Sequence, residues 1–153
     1  LRPEAYGTVD EAQAVLGLAR ASGCTPDTAE IVLSIQRDLH SLMAELASAG
    51  SADSPFAGSI TAGHVEQLEN WIAGYGDKTE DPKEFVVPGD SRPGAGLHLA
   101  RTVVRRGERL AVRLADEGML GNGQVLRYLN RLSSLLFVLA FFEDQQATST
   151  PTE

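Results

Sequence analysis

A single cysteine, Cys24, occurs among the 153 residues, so no internal disulfide can form and the fold must rest on packing. Histidines are equally scarce. His40, His64 and His98 lie far apart, and with one thiol beside them no zinc-type ligand cluster can be read, so no metal site is expected. No apolar run approaches the roughly 18 residues that a membrane span requires, which argues against a transmembrane reading. No secretory leader is read either. The chain opens at Leu1 rather than Met, so upstream residues are expected, and the expected home is the cytoplasm. What is present is ordinary for a soluble domain: 42% hydrophobic and 22% charged residues, in a length that fits one domain with a real core.

The formal net charge of −8 argues against nucleic-acid binding. The average hides an asymmetry, however. Between Arg92 and Arg131 there are 8 arginines and 3 acids, whereas the rest of the chain carries 5 cationic side chains against 18 acidic ones. A basic island built from Arg without Lys suits a small polyanion. A solvated face with salt bridges to acidic neighbours is an equally open reading.

Hydrophobic periodicity predicts five helices and no useful strand. Thr8-Val9-Asp10-Glu11 has the capping-box pattern, with Thr8 as N-cap, and predicts a first helix to about Ala21 that Gly23 breaks. Thr25 and Pro26 then open a second helix, whose apolar stripe Ile31, Ile35, Leu39, Leu42, Met43 and Leu46 runs to near Gly50. A third helix is predicted from Thr61, presenting Val65, Leu68, Trp71 or Ile72, and Tyr75. The stretch 76–96 holds Pro82, Pro88 and Pro93 and should be irregular. A fourth helix is predicted from about Gly96 to Ala115 and a fifth from about Gln124 to Glu143. The expected fold is therefore all-α: one five-helix up-and-down bundle over residues 1–144, with sequential helices as antiparallel neighbours and a disordered polar tail over 145–153.

Chemistry concentrates on the fourth and fifth helices. Arg101, Arg105 and Arg109 recur every four residues with Glu108 beside them, one charged strip whose forked donors suit a triphosphate. The same strip also fits a surface Arg/Glu ladder. Leu99, Val103, Leu110 and Leu114 on the other side should be core. On the fifth helix Asn130 and Ser134 share a face beside the stripe Leu132, Leu135, Leu136 and Leu139, so Asn130 is either a helix–helix hydrogen bond or a ligand contact. Asp10 and Glu11 suit a helix first turn, complementing its dipole, although Asp10 could also meet an arginine of another chain. Phe85-Val86-Val87 is the one apolar burst in the long loop, and a core anchor is its plainest reading.

These segments resemble the PduO-type ATP:cob(I)alamin (corrinoid) adenosyltransferases, a trimeric five-helix-bundle family. The motifs occur in the family's order, from Ala5-Tyr6-Gly7-Thr8-Val9-Asp10-Glu11 through Ile35-Gln36-Arg37-Asp38-Leu39 and Phe85-Val86-Val87-Pro88-Gly89. Leu97-His98-Leu99-Ala100-Arg101-Thr102-Val103-Val104-Arg105-Arg106-Gly107-Glu108-Arg109 and Tyr128-Leu129-Asn130-Arg131-Leu132-Ser133 complete the set. The resemblance implies transfer of the 5′-deoxyadenosyl group from ATP to cob(I)alamin, with Mg²⁺, at sites between adjacent protomers of a homotrimer. It further implies that Arg101, Arg105, Glu108 and Asn130, with Arg109 on the same strip, hold ATP or shape its site. Asp10 would pair with Arg101 of a neighbouring protomer, and Phe85 would press on the lower face of the corrin and displace its axial base. A reductase or a cobalamin-dependent acceptor enzyme would be a partner.

The chain also departs from the family pattern. Ser134 stands where the family has Asp, Phe141 where it commonly has Arg, and Gly89-Asp90 where a Gly-Gly is expected. The family's glycine-rich phosphate loop would precede Leu1. These departures keep a second expectation open, a non-catalytic homo-oligomer that binds a corrinoid or another flat ligand and has lost ATP chemistry.

Overall fold

A computed structural model describes residues 1–48, 53–79 and 86–149. Five helices account for nearly all of them: α1 (Arg2–Ala21), α2 (Pro26–Ser48), α3 (Ala62–Gly76), α4 (Arg92–Asp116) and α5 (Gly123–Ser149). Among the described residues there is no strand.

The first helix begins earlier than its capping-box pattern suggested. Leu1 is the N-cap and Pro3 lies in the first turn, where its missing N–H costs nothing. Ala5 therefore joins Val9, Ala12, Leu16 and Ala19 in one buried stripe. Thr8 is inside the helix and buried, and its hydroxyl donates to the Glu4 carbonyl at 2.7 Å. The local pattern was genuine, but the apolar repeat carries on upstream of it and burial decides the register. The fourth helix likewise starts at Arg92, because Ser91 accepts from Gly94 N–H at 3.0 Å as its N-cap. The fifth continues as helix to Ser149, beyond the expected end at Glu143, so the tail expected to be disordered from 145 is helical as far as 149, and 150–153 lie outside the described residues.

Extensive helix–helix packing joins α4 to α5, α1 to α4, α1 to α2 and α3 to α5. The expectation that all sequential helices are neighbours is corrected here, since α2–α3 and α3–α4 are not among these pairs. The physical reason is the distribution of apolar surface. In α5, Val125, Tyr128, Leu129, Leu132, Leu135, Leu136, Leu139 and Ala140 are all buried, more than one stripe's worth, so both α4 and α3 pack against it. In α3 only Leu68 and Tyr75 are buried, and it packs from outside. Among the described residues Gly123–Thr148 of α5 is long and apolar enough to cross a membrane by length and composition alone, although Arg127 and Arg131 interrupt it, and half of its most apolar 18-residue window is buried inside the bundle, as expected of a core helix.

Small residues set the closeness of α1 and α4. Gly96 lies against Ala19, so close that a Cβ on Gly96 would stand 3.0 Å from the Ala19 Cα, and Gly107 faces Thr8 and Val9. Buried carboxylates tie the ends of the bundle. Glu45 accepts from Gly58 N–H (3.1 Å), Ile60 N–H (3.0 Å) and the Asn122 side-chain amide (2.8 Å). At the opposite end Glu143 accepts from the Thr25 N–H at 3.0 Å and hydroxyl at 2.7 Å. Burial and the Glu143 charge push the nearby Cys24 thiol up to about 11, so this lone cysteine stays protonated and unreactive at neutral pH.

Candidate functional site

The long α4 is the scaffold of the candidate site, because its inner face packs while most of the arginines on its outer face have no ion pair. Leu97, Ala100, Val103, Val104, Gly107, Ala111 and Leu114 are buried. Leu99, expected in the core, is instead 51% exposed. Leu97 and Ala100 take the inward positions, and Leu99, two residues on from Leu97 and so about 200° around the helix, is turned outward.

Arg105 and Arg109 point to solvent and line a groove of about 350 Å³ together with Glu108, Val112, Arg113 and Asn130. Four turns of helix thus present Arg101, Arg105, Arg109 and Arg113, and among the described residues none of these four pairs with a carboxylate. The arginine that does pair is Arg106, with Glu11 of α1. Glu108, the carboxylate that a surface ladder would use, accepts instead from the Asn130 amide at 3.0 Å. That bond clasps α4 to α5 and leaves the guanidiniums free. A row of cations without ion pairs beside a groove has the chemistry to hold an anion and lacks the pairs of a salt-bridge ladder.

On the other side of the Glu108–Asn130 clasp lies a second groove of about 350 Å³, lined by Val65, Glu69, Glu108, Leu126, Arg127, Asn130 and Arg131. Here Arg131 pairs with Glu69 of α3 at 2.7 Å, so the two hollows differ in character: one bare and cationic, the other with apolar walls and a neutralised pair. Ser134, one turn beyond Asn130, accepts from Arg131 at 3.4 Å.

Arg101 is set apart from the groove. Its guanidinium carbon is 6.0 Å from the centre of the Phe137 ring, a cation–π arrangement, and its Nε is buried without a hydrogen-bond partner. The same ring takes the edge of His98 at 5.9 Å. Burial, reinforced by the Arg101 charge and opposed by Asp144, lowers the His98 pKa and keeps the imidazole neutral. Asp144 lies over the first turn of α4, where it accepts from the Ser91 hydroxyl at 2.6 Å.

The structure therefore brings together Arg105, Glu108, Arg109 and Asn130 out of the residues singled out in the sequence. Asp10 is exposed on α1 and, among the described residues, has no partner within its own chain. Phe85 lies outside the described residues. Arg113 was missed although it continues the four-residue repeat of the strip. Asn122 and Glu69 were missed because nothing local marks a residue whose partner is 77 or 62 positions away.

Residues 1–143 match the family model described as cobalamin adenosyltransferase. The chain is 42% identical over 141 residues to the cobalamin adenosyltransferase of Cupriavidus metallidurans, covering 92% of this chain and 73% of that protein. It is 39% identical over 147 residues to the corrinoid adenosyltransferase PduO of Salmonella typhimurium, covering 95% of this chain but 43% of that protein. The chain thus spans less than half the length of this PduO relative. Two solved structures of variants of the PduO-type adenosyltransferase from Lactobacillus reuteri superimpose closely. One, complexed with cobalamin and ATP, has a TM-score of 0.85 at 30% identity over 94% of this chain and 78% of that one. The other, complexed with ATP, has a TM-score of 0.86 at 30% identity over 98% and 84%.

Proposed function

Because this chain belongs to the cobalamin adenosyltransferase family, we propose that it transfers the 5′-deoxyadenosyl group of ATP to cob(I)alamin, releasing triphosphate. The Co(I) electron pair forms the cobalt–carbon bond at C5′, and the C5′–O pair departs with the triphosphate. Negative charge gathers on that leaving group, so cations fixed around it lower the barrier. The observation that carries this reading is the unpaired arginine strip of α4 beside the Glu108–Asn130 clasp. Arg105 and Arg109 would hold the phosphates, with Mg²⁺ carried in on the nucleotide. The Glu108–Asn130 clasp would hold α4 and α5 at a constant spacing beneath the ligand.

Asp10 and Arg101 support a shared site. Among the described residues neither has an ion-pair partner in its own chain, and Arg101 Nε is buried without a hydrogen bond; a carboxylate from a second protomer would satisfy it. Leu18 on α1 and Leu99 on α4, 61% and 51% exposed, lie near the level where Gly96 meets Ala19. Two large apolar side chains left in water on packed neighbouring helices are suited to burial against another copy. The reading is a homotrimer with Asp10 of one protomer paired to the next protomer's Arg101. Asp10→Asn is expected to shift the trimer towards monomer in sedimentation, and an unchanged trimer of unchanged stability would refute the bridge.

Co(I) must be supplied by reduction of cob(II)alamin, which calls for an electron donor such as a reductase. The role of Phe85 against the corrin's lower face rests on the sequence resemblance. The deciding experiment is an anaerobic assay of the full-length protein with reduced cobalamin, ATP and Mg²⁺. Adenosylcobalamin formation that depends on Arg105 is the expected result. Corrinoid binding without any turnover would instead establish a binding module, the outcome that Ser134 and Phe141 would then explain.

A further inference from the structure

Outside the arginine island the chain has only five cationic side chains, and two of them meet in one hollow. Between α1 and α2 a groove of about 310 Å³ is lined by Gln13, Arg20, Leu33, Gln36, Arg37 and His40. Gln13 and Gln36 knit its floor, each side-chain amide donating to the other's backbone carbonyl at 3.1 Å. That exchange uses amide hydrogens and leaves Gln36 Oε1 buried with no donor. Arg20, Arg37 and His40 are exposed at the rim, and among the described residues none has an acidic partner.

Both features are costly as they stand. Converging cations repel one another, and in so acidic a protein carboxylates were available to neutralise them. A buried carbonyl oxygen without a donor forfeits a hydrogen bond that water would have supplied. One kind of ligand relieves both at once. We propose that this groove is a second anion site, taking a phosphoryl group flanked by an N–H or O–H donor. Arg20 and Arg37, with the His40 ring, face the phosphoryl oxygens. Gln36 Oε1, closed to water as the groove stands, accepts from the neighbouring donor once its amide turns into the groove.

The anion site stands on this geometry alone, whereas the choice between two sources of that chemistry rests on the adenosyltransferase reading. One source is the triphosphate of the nucleotide or product. The other is the phosphodiester in the nucleotide loop of a complete corrinoid, which is accompanied by amide side chains. Cobinamide lacks that loop.

Two titrations test the proposal on the full chain. In the first, inorganic triphosphate is titrated calorimetrically into protein carrying Arg105→Ala and Arg109→Ala, with and without Arg37→Gln. In the second, cobalamin and cobinamide are titrated into the otherwise unaltered protein and its Arg37→Gln and Arg20→Gln variants. The expected result is a loss of about tenfold or more in affinity for triphosphate, or for cobalamin but not cobinamide, which also identifies the source. Arg20 and Arg37 are exposed, so melting temperature should not move. Unchanged affinity in both titrations overturns the proposal. Failure of the adenosyltransferase reading would appear separately, as absent turnover in the unaltered chain.

Discussion

Replacing Arg105 by Ala separates a ligand-holding strip from a structural one, because the two readings predict opposite effects on stability. Arg105 is exposed, lines the groove with Arg109 and Arg113, and has no ion pair to lose. Its neighbours four residues away in both directions are Arg101 and Arg109, like charges that destabilise a helix by about 0.2–0.5 kcal/mol per pair. Removing Arg105 should therefore leave the fold unchanged or stabilise it slightly, a rise of about 1–4 °C at most for a domain of this size. The effect on activity should be far larger. A charge-assisted hydrogen bond to a phosphoryl oxygen contributes about 1.5–3 kcal/mol, which converts to a loss of roughly 10- to 150-fold in kcat/KM. Since charge grows on the triphosphate as the C5′–O bond breaks, part of that loss should fall on kcat rather than KM alone. The measurements are anaerobic adenosylcobalamin formation and thermal unfolding on the same preparation. A variant that melts several degrees lower while keeping kcat/KM within about threefold would refute the reasoning and return the strip to a structural ladder.

Other outcomes follow from the packing. Gly96→Ala must push α1 from α4, because its Cβ meets the Ala19 Cα at 3.0 Å. It should cost about 1–2 kcal/mol despite the better helix propensity, whereas Gly74→Ala, with open space around it, should stabilise by about 0.5–1 kcal/mol; equal melting temperatures for the two would contradict this. Glu45→Ala should destabilise by about 3 kcal/mol, since the buried Ile60 N–H loses its acceptor, and the Ile60 amide should exchange faster with solvent. The pH dependence of stability tests His98. Burial, with help from Arg101, lowers its folded-state pKa, so the unfolded state binds the proton more readily. Its contribution is complete above the unfolded value of about 6.5 and is lost as pH falls below it. His98→Phe should flatten the fall in melting temperature between about pH 7 and pH 5, and an unchanged slope would show that His98 does not titrate on unfolding.

The residues that make up the α4 site were legible because they obey one local rule. A four-residue repeat of arginine puts every member on one helix face whatever surrounds it, and the same geometry places Glu108 within reach of the strip. What the repeat could not disclose was Glu108's partner. Asn130 is 22 residues away, and only the antiparallel packing of α4 on α5 brings it to that carboxylate. That one bond removes Glu108 from any ladder on α4 and supports the proposed anion groove. Similarly, the Thr8 capping box has correct local chemistry, but burial of Ala5 extends the helix past it.

Periodicity, breakers and charge spacing were enough to determine five helices, the apolar stripe of α2 and a cationic face on α4, since each depends on residues within two turns of one another. Which helices touch, that Leu99 turns outward, and that Arg106 is neutralised by Glu11 while Arg105, Arg109 and Arg113 on the strip have no ion pair were decided only in three dimensions. Those outcomes depend on competition among surfaces far apart in the chain for the same buried volume, and no local pattern records who wins it.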